Sequence, residues 1–217
     1  MESISQMTLK EVAMLQVNQR LILQGISWDF YEQLLNEFES SNALHFAYDN
    51  GILEVEVPLG KHEIPIRLLA DLVSNLCVEK DIEVRNVGST TFRKRAKAKG
   101  IEPDTAFYIQ NAARVSGLLD LDLSKNPSPD LAIEVDVTSP SLNKMPIYAG
   151  LGISEIWLYK GKNVEFLQLI GEKYVPIKSS IALPFLSSEK ATEFLQNGLK
   201  ETFNKWVKDV RKWANEK

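Results

Sequence analysis

The sequence has little cysteine and no long apolar run, and both shortages narrow the class of protein. Its 217 residues contain one cysteine, Cys77, which excludes an intrachain disulfide and a cysteine-rich metal site. No apolar segment approaches the ~20 residues that a membrane-spanning helix needs. The segment MESISQMTLKEV lacks a basic stretch followed by an apolar one, so we expect no secretion signal. These features predict a cytoplasmic protein with no membrane partner.

The composition is that of an ordinary globular protein, with 44% hydrophobic and 25% charged residues. Aromatic residues make up 9% of the chain, which excludes a disordered one. The length fits one hydrophobic core with appendages, so we predict a single domain over residues 1–217. Its core is expected at about 60–160, with a helix and hairpin at 20–58 and a hairpin and helix at 163–213.

Positive charge is concentrated in one short segment. The net charge of −4 argues against a general nucleic-acid coat protein. Residues 85–99, called the basic segment below, contain six cations and no acid, and the rest of the chain carries −10. A solvated loop and a surface that binds phosphates both explain such a segment. The candidates for nucleic-acid contacts are Arg93, Lys94, Arg95, Lys97 and Lys99.

The middle of the chain alternates between helical and strand-like patterns. Apolar residues at helical spacing in IPIRLLADLVSNLCVEK predict a helix. Three strand patterns follow, IEVRNVGST, IEPDTAFYIQN and PDLAIEVDVTS, and then a short helix at 141–150 and a strand, SEIWLYK. The order helix, strand, strand, strand, helix, strand predicts an α/β fold with a mixed central sheet.

Each end of the chain adds a hairpin and a helix to this core. The segment WDFYEQLLNEF has helical spacing, and ALHFAYDNGILEVEV predicts a hairpin that turns at Asp49-Asn50-Gly51 and keeps one solvated face. At the other end, a hairpin around Gly171 precedes a helix with an apolar stripe, which we expect to pack against the core.

Two of the predicted strands carry acids. In IEPDTAFYI the acid is Asp104, and in PDLAIEVDV the alternation of side chains places Asp130, Glu134 and Asp136 on one face. A central strand carries acids where water, a cation or a bonding partner meets them. An edge strand with a solvated face explains the pattern as well.

A shared cation is the more specific interpretation, because both acidic strands begin with a Pro-Asp pair, at 103–104 and 129–130. Oxygen ligands without cysteine favour Mg²⁺ or Mn²⁺ over zinc. A metal held by carboxylates retains water and accepts phosphate oxygens, so phosphodiester hydrolysis is the matching reaction. The basic segment would then hold the polyanionic backbone.

In their order, these segments resemble a known family. A PD pair before a strand and an acid on the next strand are similar to the PD-(D/E)XK nucleases. More specifically, GIEPDTAFYI, PDLAIEVDVTSPS, NKMPIYAGLGI and SEIWLYK, with WDFYEQLL and AYDNGILEVEV, resemble the cyanobacterial type of the Uma2 family over roughly residues 20–185. The resemblance implies a restriction endonuclease-like core, α-β-β-β-α-β, with an N-terminal helix and hairpin and a C-terminal helix.

The resemblance also implies roles for individual residues. Asp104 matches the first metal-binding acid and Glu134 the second, and the carbonyl of Val135 is a candidate ligand. Where the nuclease pattern has lysine, this chain has Asp136, but Lys144 matches a lysine that Uma2-like sequences carry on the following helix. From there it would orient the attacking water or offset charge on the phosphate.

Other residues have competing interpretations. Glu63 is a candidate additional catalytic acid, but an acid also stabilises a helix N-terminus. Lys144 would be an ordinary surface lysine in the alternative interpretation, and Asp130 would bond locally at the strand entrance. His62 precedes Glu63, but a single histidine does not make a metal site, so it is not included among the catalytic residues. Tyr148 is expected to pack in the core.

Three functions fit these observations. The first is a Mg²⁺-dependent endonuclease that hydrolyses DNA, with metal on Asp104 and Glu134 and with Lys144 assisting the attacking water. The second is a catalytically inactive, nuclease-like module that binds nucleic acid or protein, which the missing in-strand lysine favours. The third is a different metal-dependent hydrolase on the same core. The resemblance implies DNA as a partner and a homodimer, because nucleases of this fold commonly act as dimers.

Overall fold

The computed structural model describes residues 20–38, 44–57, 60–136 and 142–217, which contain two β-sheets and five α-helices. The helices are α1 (Trp28–Glu37), α2 (Gly60–Glu79), α3 (Met145–Leu151), α4 (Ser188–Gly198) and α5 (Phe203–Asn215). The strands are β1 (Arg20–Leu23), β2 (His45–Asp49), β3 (Ile52–Glu56), β4 (Arg85–Gly88), β5 (Phe92–Lys94), β6 (Lys99–Ile101), β7 (Thr105–Tyr108), β8 (Leu131–Val135), β9 (Glu155–Tyr159), β10 (Val164–Ile170) and β11 (Lys173–Ile177).

The larger sheet has the order β11-β10-β9-β8-β7-β4. Its pairs are antiparallel except for β8 and β9, which are parallel and are connected through α3. A parallel pair needs such a crossover, whereas antiparallel neighbours accept short turns. The predicted α/β core is confirmed: in chain order it is α2, β4, β7, β8, α3 and β9.

The smaller sheet has the order β1-β3-β2-β6-β5. The predicted turn between β2 and β3 is present, with positive φ angles of 47° at Asn50 and 90° at Gly51. Two successive residues with positive φ match the right-handed twist of a tight hairpin. The basic segment contains β4 of the larger sheet and β5 of the smaller one, and it ends at the first residue of β6. The chain therefore leaves the larger sheet after β4 and returns to it at β7.

The two faces of β8 face different parts of the fold. Leu131, Ile133 and Val135 pack in the core that includes residues of α2, α4 and α5, while Ala132 packs in the core on the α3 side. Glu134 shares the face of Ala132 because side chains alternate along a strand. The apolar stripe that predicted one C-terminal helix is divided between two helices, α4 and α5. Both pack in the first of these cores, and the Trp206 indole of α5 donates to the Phe194 carbonyl of α4 at 2.7 Å.

The prediction that the β2–β3 hairpin keeps one solvated face is wrong. Glu54, on that face, is 1% exposed and accepts a 2.7 Å hydrogen bond from the Leu142 amide. Its neighbour Glu56 accepts a 2.8 Å hydrogen bond from Arg20 on β1. The polar face is covered because the hairpin packs against the segment before α3. Within the described residues, no helix is long and apolar enough to cross a membrane.

Candidate active site

A cavity of about 240 Å³ lies where β7 begins and β8 ends, between the two sheets. Asp104 and Glu134 line it from the larger sheet, and His45 and Glu56 line it from the smaller one. Lys144, just before α3, also lines it. Titratable side chains from positions 45, 56, 104, 134 and 144 therefore converge on one volume.

Asp104 and Glu134 face each other across adjacent strands. The antiparallel register pairs Thr105 with Ile133, so one further residue along the strands places Asp104 opposite Glu134. The Asp104 Oδ2 atom accepts a hydrogen bond from the Val135 amide at 2.7 Å. Burial, and then the negative charge of Glu134, raise the pKa of Asp104. The carboxylates of Asp104 and Glu134 are thus close enough for their negative charges to repel each other.

Lys144 lies against this acid pair. Its Nζ atom is 2.9 Å from Glu134 Oε2, and its side chain is 18% exposed, so it is not a solvated surface lysine. Burial alone would lower the pKa of Lys144, but the charges of Glu134 and Asp104 outweigh it, and the pKa stands above its ordinary value. Lys144 is therefore an ammonium that donates hydrogen bonds and offsets negative charge, and it does not accept a proton.

Tyr148 holds the other oxygen of the same carboxylate. Its hydroxyl donates to Glu134 Oε1, and its side chain is fully buried. Burial, and then the charge of Glu134, raise the pKa of Tyr148 well above its ordinary value. Sequence reasoning assigned Tyr148 to packing. The signal that could have found it is its spacing from Lys144, four residues, which places both side chains on one side of α3.

Two histidines also line the cavity. His45 Nδ1 is 3.9 Å from Asp104 Oδ1, and burial, then the positive charge of Lys144, lower the pKa of His45. His62 is buried on α2 and reaches the same cavity. The sequence carried no signal for His45, because its approach to Asp104 depends on how the hairpin packs against the larger sheet.

Glu63 and Asp130 make other contacts. The Glu63 side chain is 48% exposed and forms an ion pair with Arg67 at 3.4 Å, one turn further along α2. It does not line the cavity, so its catalytic role remains a prediction. Asp130 accepts hydrogen bonds from the Ile109 and Asn111 amides and from the Asn111 side chain, which agrees with the local bonding interpretation.

The basic segment is partly neutralised by acids from α1 and β2. Arg95 lies 2.6 Å from Asp29 and 2.8 Å from Glu32, and Arg93 lies 3.8 Å from Glu32. Lys99 pairs with Asp49. Lys94 and Lys97 form no ion pair with any residue that the structure describes. Exposed ion pairs such as those of Arg95 contribute little stability.

Most of the chain, including the strands that carry this site, is similar to known proteins. Residues 28–203 match the model of Uma2, described as "Putative restriction endonuclease". The chain belongs to the Uma2 family. It is also similar to a crystal structure described as "a putative nuclease belonging to DUF820 from Anabaena variabilis", with 18% identity, a TM-score of 0.46, and coverage of 69% of this chain and 90% of the other. No curated protein matches the chain.

The Uma2 match includes Asp104, Glu134, Lys144 and Tyr148, and it confirms the resemblance seen in the sequence. Restriction endonuclease-like families generally use a divalent metal. The carboxylates of Asp104 and Glu134 in this cavity are hard oxygen donors, the kind that Mg²⁺ and Mn²⁺ prefer with waters completing the coordination. Within the described ranges, no group of three or more His, Cys, Asp or Glu residues is arranged to hold a metal ion.

Proposed function

We propose that this Uma2 protein is an endonuclease that hydrolyses DNA phosphodiester bonds with Mg²⁺ or Mn²⁺, held by Asp104, Glu134 and the Val135 carbonyl. The observation that supports the proposal is the convergence of Asp104, Glu134 and Lys144 in one cavity. The raised pKa of Asp104 adds to it, since a divalent cation would relieve the repulsion between the two carboxylates.

The residues that line the cavity would have separate roles in this reaction. When bound, a divalent metal lowers the pKa of its water and polarises the phosphoryl oxygen. Lys144 donates a hydrogen bond from its ammonium, so it orients the attacking water or offsets charge on the phosphate rather than acting as a base. Tyr148 fixes the rotation of Glu134 by holding Oε1, while Lys144 holds Oε2. His45 packs beside Asp104 from the opposite wall.

DNA would be held by the basic segment, through Arg93, Lys94, Arg95, Lys97 and Lys99. Lys94 and Lys97 are the readiest to contact phosphates, since no ion pair engages them within the described residues. Arg93 and Arg95 would exchange the carboxylates of α1 for phosphate oxygens. The proposal also includes a homodimer in the cytoplasm, in which each protomer cuts one strand of the DNA. Glu63 would serve as an additional catalytic acid.

A second candidate is a nuclease-like module that binds nucleic acid or protein without catalysis. The observation that favours it is that Lys144 and Tyr148 each donate to a different oxygen of Glu134, so both oxygens of this carboxylate already have a protein partner. Such a network satisfies the buried carboxylate and would persist as a stabilising polar core. The position of Asp136, where nucleases of this pattern have lysine, points the same way.

Plasmid cleavage with Mg²⁺ or Mn²⁺ tests the proposal. We expect the wild-type protein to nick supercoiled DNA, and Glu134→Gln to lose this activity while it still folds, as its far-UV circular dichroism spectrum would show. Glu165→Gln, an exposed acid on β10, is the matched control and should cleave normally. Undiminished cleavage by Glu134→Gln would overturn the proposal. Metal-independent DNA binding by a wild-type protein that never cleaves would favour the second candidate.

A further inference from the structure

The charges around the cavity are unevenly compensated. Its acids are Glu56, Asp104, Glu134 and Asp136. Two of its cations are already engaged: Arg20 lies 2.8 Å from Glu56, and Lys144 lies 2.9 Å from Glu134. Lys160 lines the same cavity. Among the residues that the structure describes, Lys160 has no carboxylate within ion-pair distance, so it is the cation left for an incoming anion.

The position of Lys160 follows from the parallel pairing of β8 and β9. Val135 pairs with Tyr159, and the Asp136 amide donates to the Tyr159 carbonyl at 2.9 Å. One residue further along both strands, Lys160 lies beside Asp136, on the face that carries Glu134. Trp157 and Tyr159 belong to the core on the opposite face. The Lys160 side chain therefore starts at the rim of the cavity and is exposed.

We propose that Lys160 binds a non-bridging phosphate oxygen of the DNA strand that enters the cavity, which makes it a further substrate-binding residue. This inference rests on the proposed function, because it takes the substrate to be a phosphodiester. The acids of the cavity would repel such an anion, and a cation at the rim offsets that repulsion. An ammonium on a flexible four-carbon stem suits the role, since it can follow the phosphate as the strand settles.

Two other roles for Lys160 are open to test. It could form an intermittent ion pair with its neighbour Asp136, or it could be a solvated lysine that keeps the surface polar. Neither role involves DNA. The matched control is Lys162, which is exposed, lies two residues further along the chain, and does not line the cavity. Both lysines can be replaced by glutamine with little change in bulk.

The first measurement is the binding of a fluorescent DNA duplex in EDTA at several salt concentrations. We expect Lys160→Gln to weaken binding roughly tenfold and to lower the salt slope by about one, as the loss of one phosphate contact predicts. Lys162→Gln should resemble the wild type, and Lys160→Arg should retain most of the affinity. Equal binding by Lys160→Gln and Lys162→Gln overturns the inference. So does a loss in Lys160→Arg as large as that in Lys160→Gln, because it would indicate a packing role.

Cleavage with Mg²⁺ is the second measurement, and it separates this inference from the proposed function. If the wild type cleaves, Lys160→Gln should raise KM more than it lowers kcat. If the wild type binds DNA but does not cleave, the proposed function fails, and the binding comparison still decides the role of Lys160. If the wild type does not bind DNA at all, both are overturned.

Discussion

The Lys144 ammonium lies 2.9 Å from Glu134 Oε2, with side chains 18% and 4% exposed. Removing one member of a buried ion pair leaves the other charge uncompensated. We predict that Lys144→Met destabilises the protein by about 3 kcal/mol in the absence of metal. The double variant Lys144→Met/Glu134→Gln should lose less than the sum of the two single variants, which urea denaturation of all four proteins would measure. Additive losses would show that the two groups do not interact.

The hydrogen bond from Tyr148 to Glu134 leads to a second prediction. Tyr148→Phe removes this donor but keeps the packing of the ring, so we expect a loss of roughly 1–3 kcal/mol in stability. If the bond orients Glu134 for catalysis, kcat should fall about tenfold with little change in KM. Tyr159→Phe is the control, since its ring is buried on the opposite face of the sheet. A kcat equal to that of the control would limit Tyr148 to a structural role.

Metal affinity should depend on pH through Asp104. Because burial and the charge of Glu134 raise the pKa of Asp104, a proton competes with the metal for this carboxylate. Affinity for Mn²⁺ should therefore increase as the pH rises through that pKa, and binding should release protons. Calorimetry at pH 6, 7 and 8, in buffers with different ionisation enthalpies, measures both effects. Asp104→Asn should bind weakly at every pH, and a wild-type affinity independent of pH would contradict the assignment.

Glu102, outside the cavity lining, makes stability depend on pH. Burial raises its pKa to about 7, while its carboxylate accepts hydrogen bonds from the Thr91 hydroxyl and the Phe46 amide. A carboxyl group with a raised folded-state pKa stabilises the fold at low pH, and this contribution is lost as the pH rises from about 4 to 7. Its slope is about 1.4 kcal/mol per pH unit.

Replacing Glu102 by glutamine removes this titration. We expect Glu102→Gln to be more stable than the wild type at pH 8 by roughly 1–3 kcal/mol, and to show little or no advantage at pH 4.5. Urea denaturation at the two pH values gives the comparison. The same stability difference at both values would mean that Glu102 does not titrate as its burial implies.

The central sheet and its acid pair were predictable from the sequence because their determinants are local. Alternation along PDLAIEVDV placed Glu134 on the face opposite Ile133, and the pattern of helices and strands gave the order of the core. The assignment of Lys144 to the site came from the family resemblance and not from a local pattern. The structure adds a reason for its place there, since its charge balances two neighbouring carboxylates.

The contributions of the smaller sheet could not be predicted in this way. His45 and Arg20 reach the cavity because a hairpin packs across the chain against the segment before α3, and no short-range pattern encodes that contact. The same packing covers Glu54, whose alternation with apolar residues is typical of a solvated face. The pairing of Arg95 with Asp29 likewise joins residues 66 positions apart.

The cavity has walls from two separate sheets: Asp104 and Glu134 belong to one, and His45 and Glu56 to the other. The width of the entrance is therefore set by the packing between the sheets, not by the backbone of either one. Insertions or substitutions in the N-terminal hairpin would widen or narrow the opening while the acid pair stayed in register. The size of the opening could then diverge among related proteins with no change to Asp104 or Glu134.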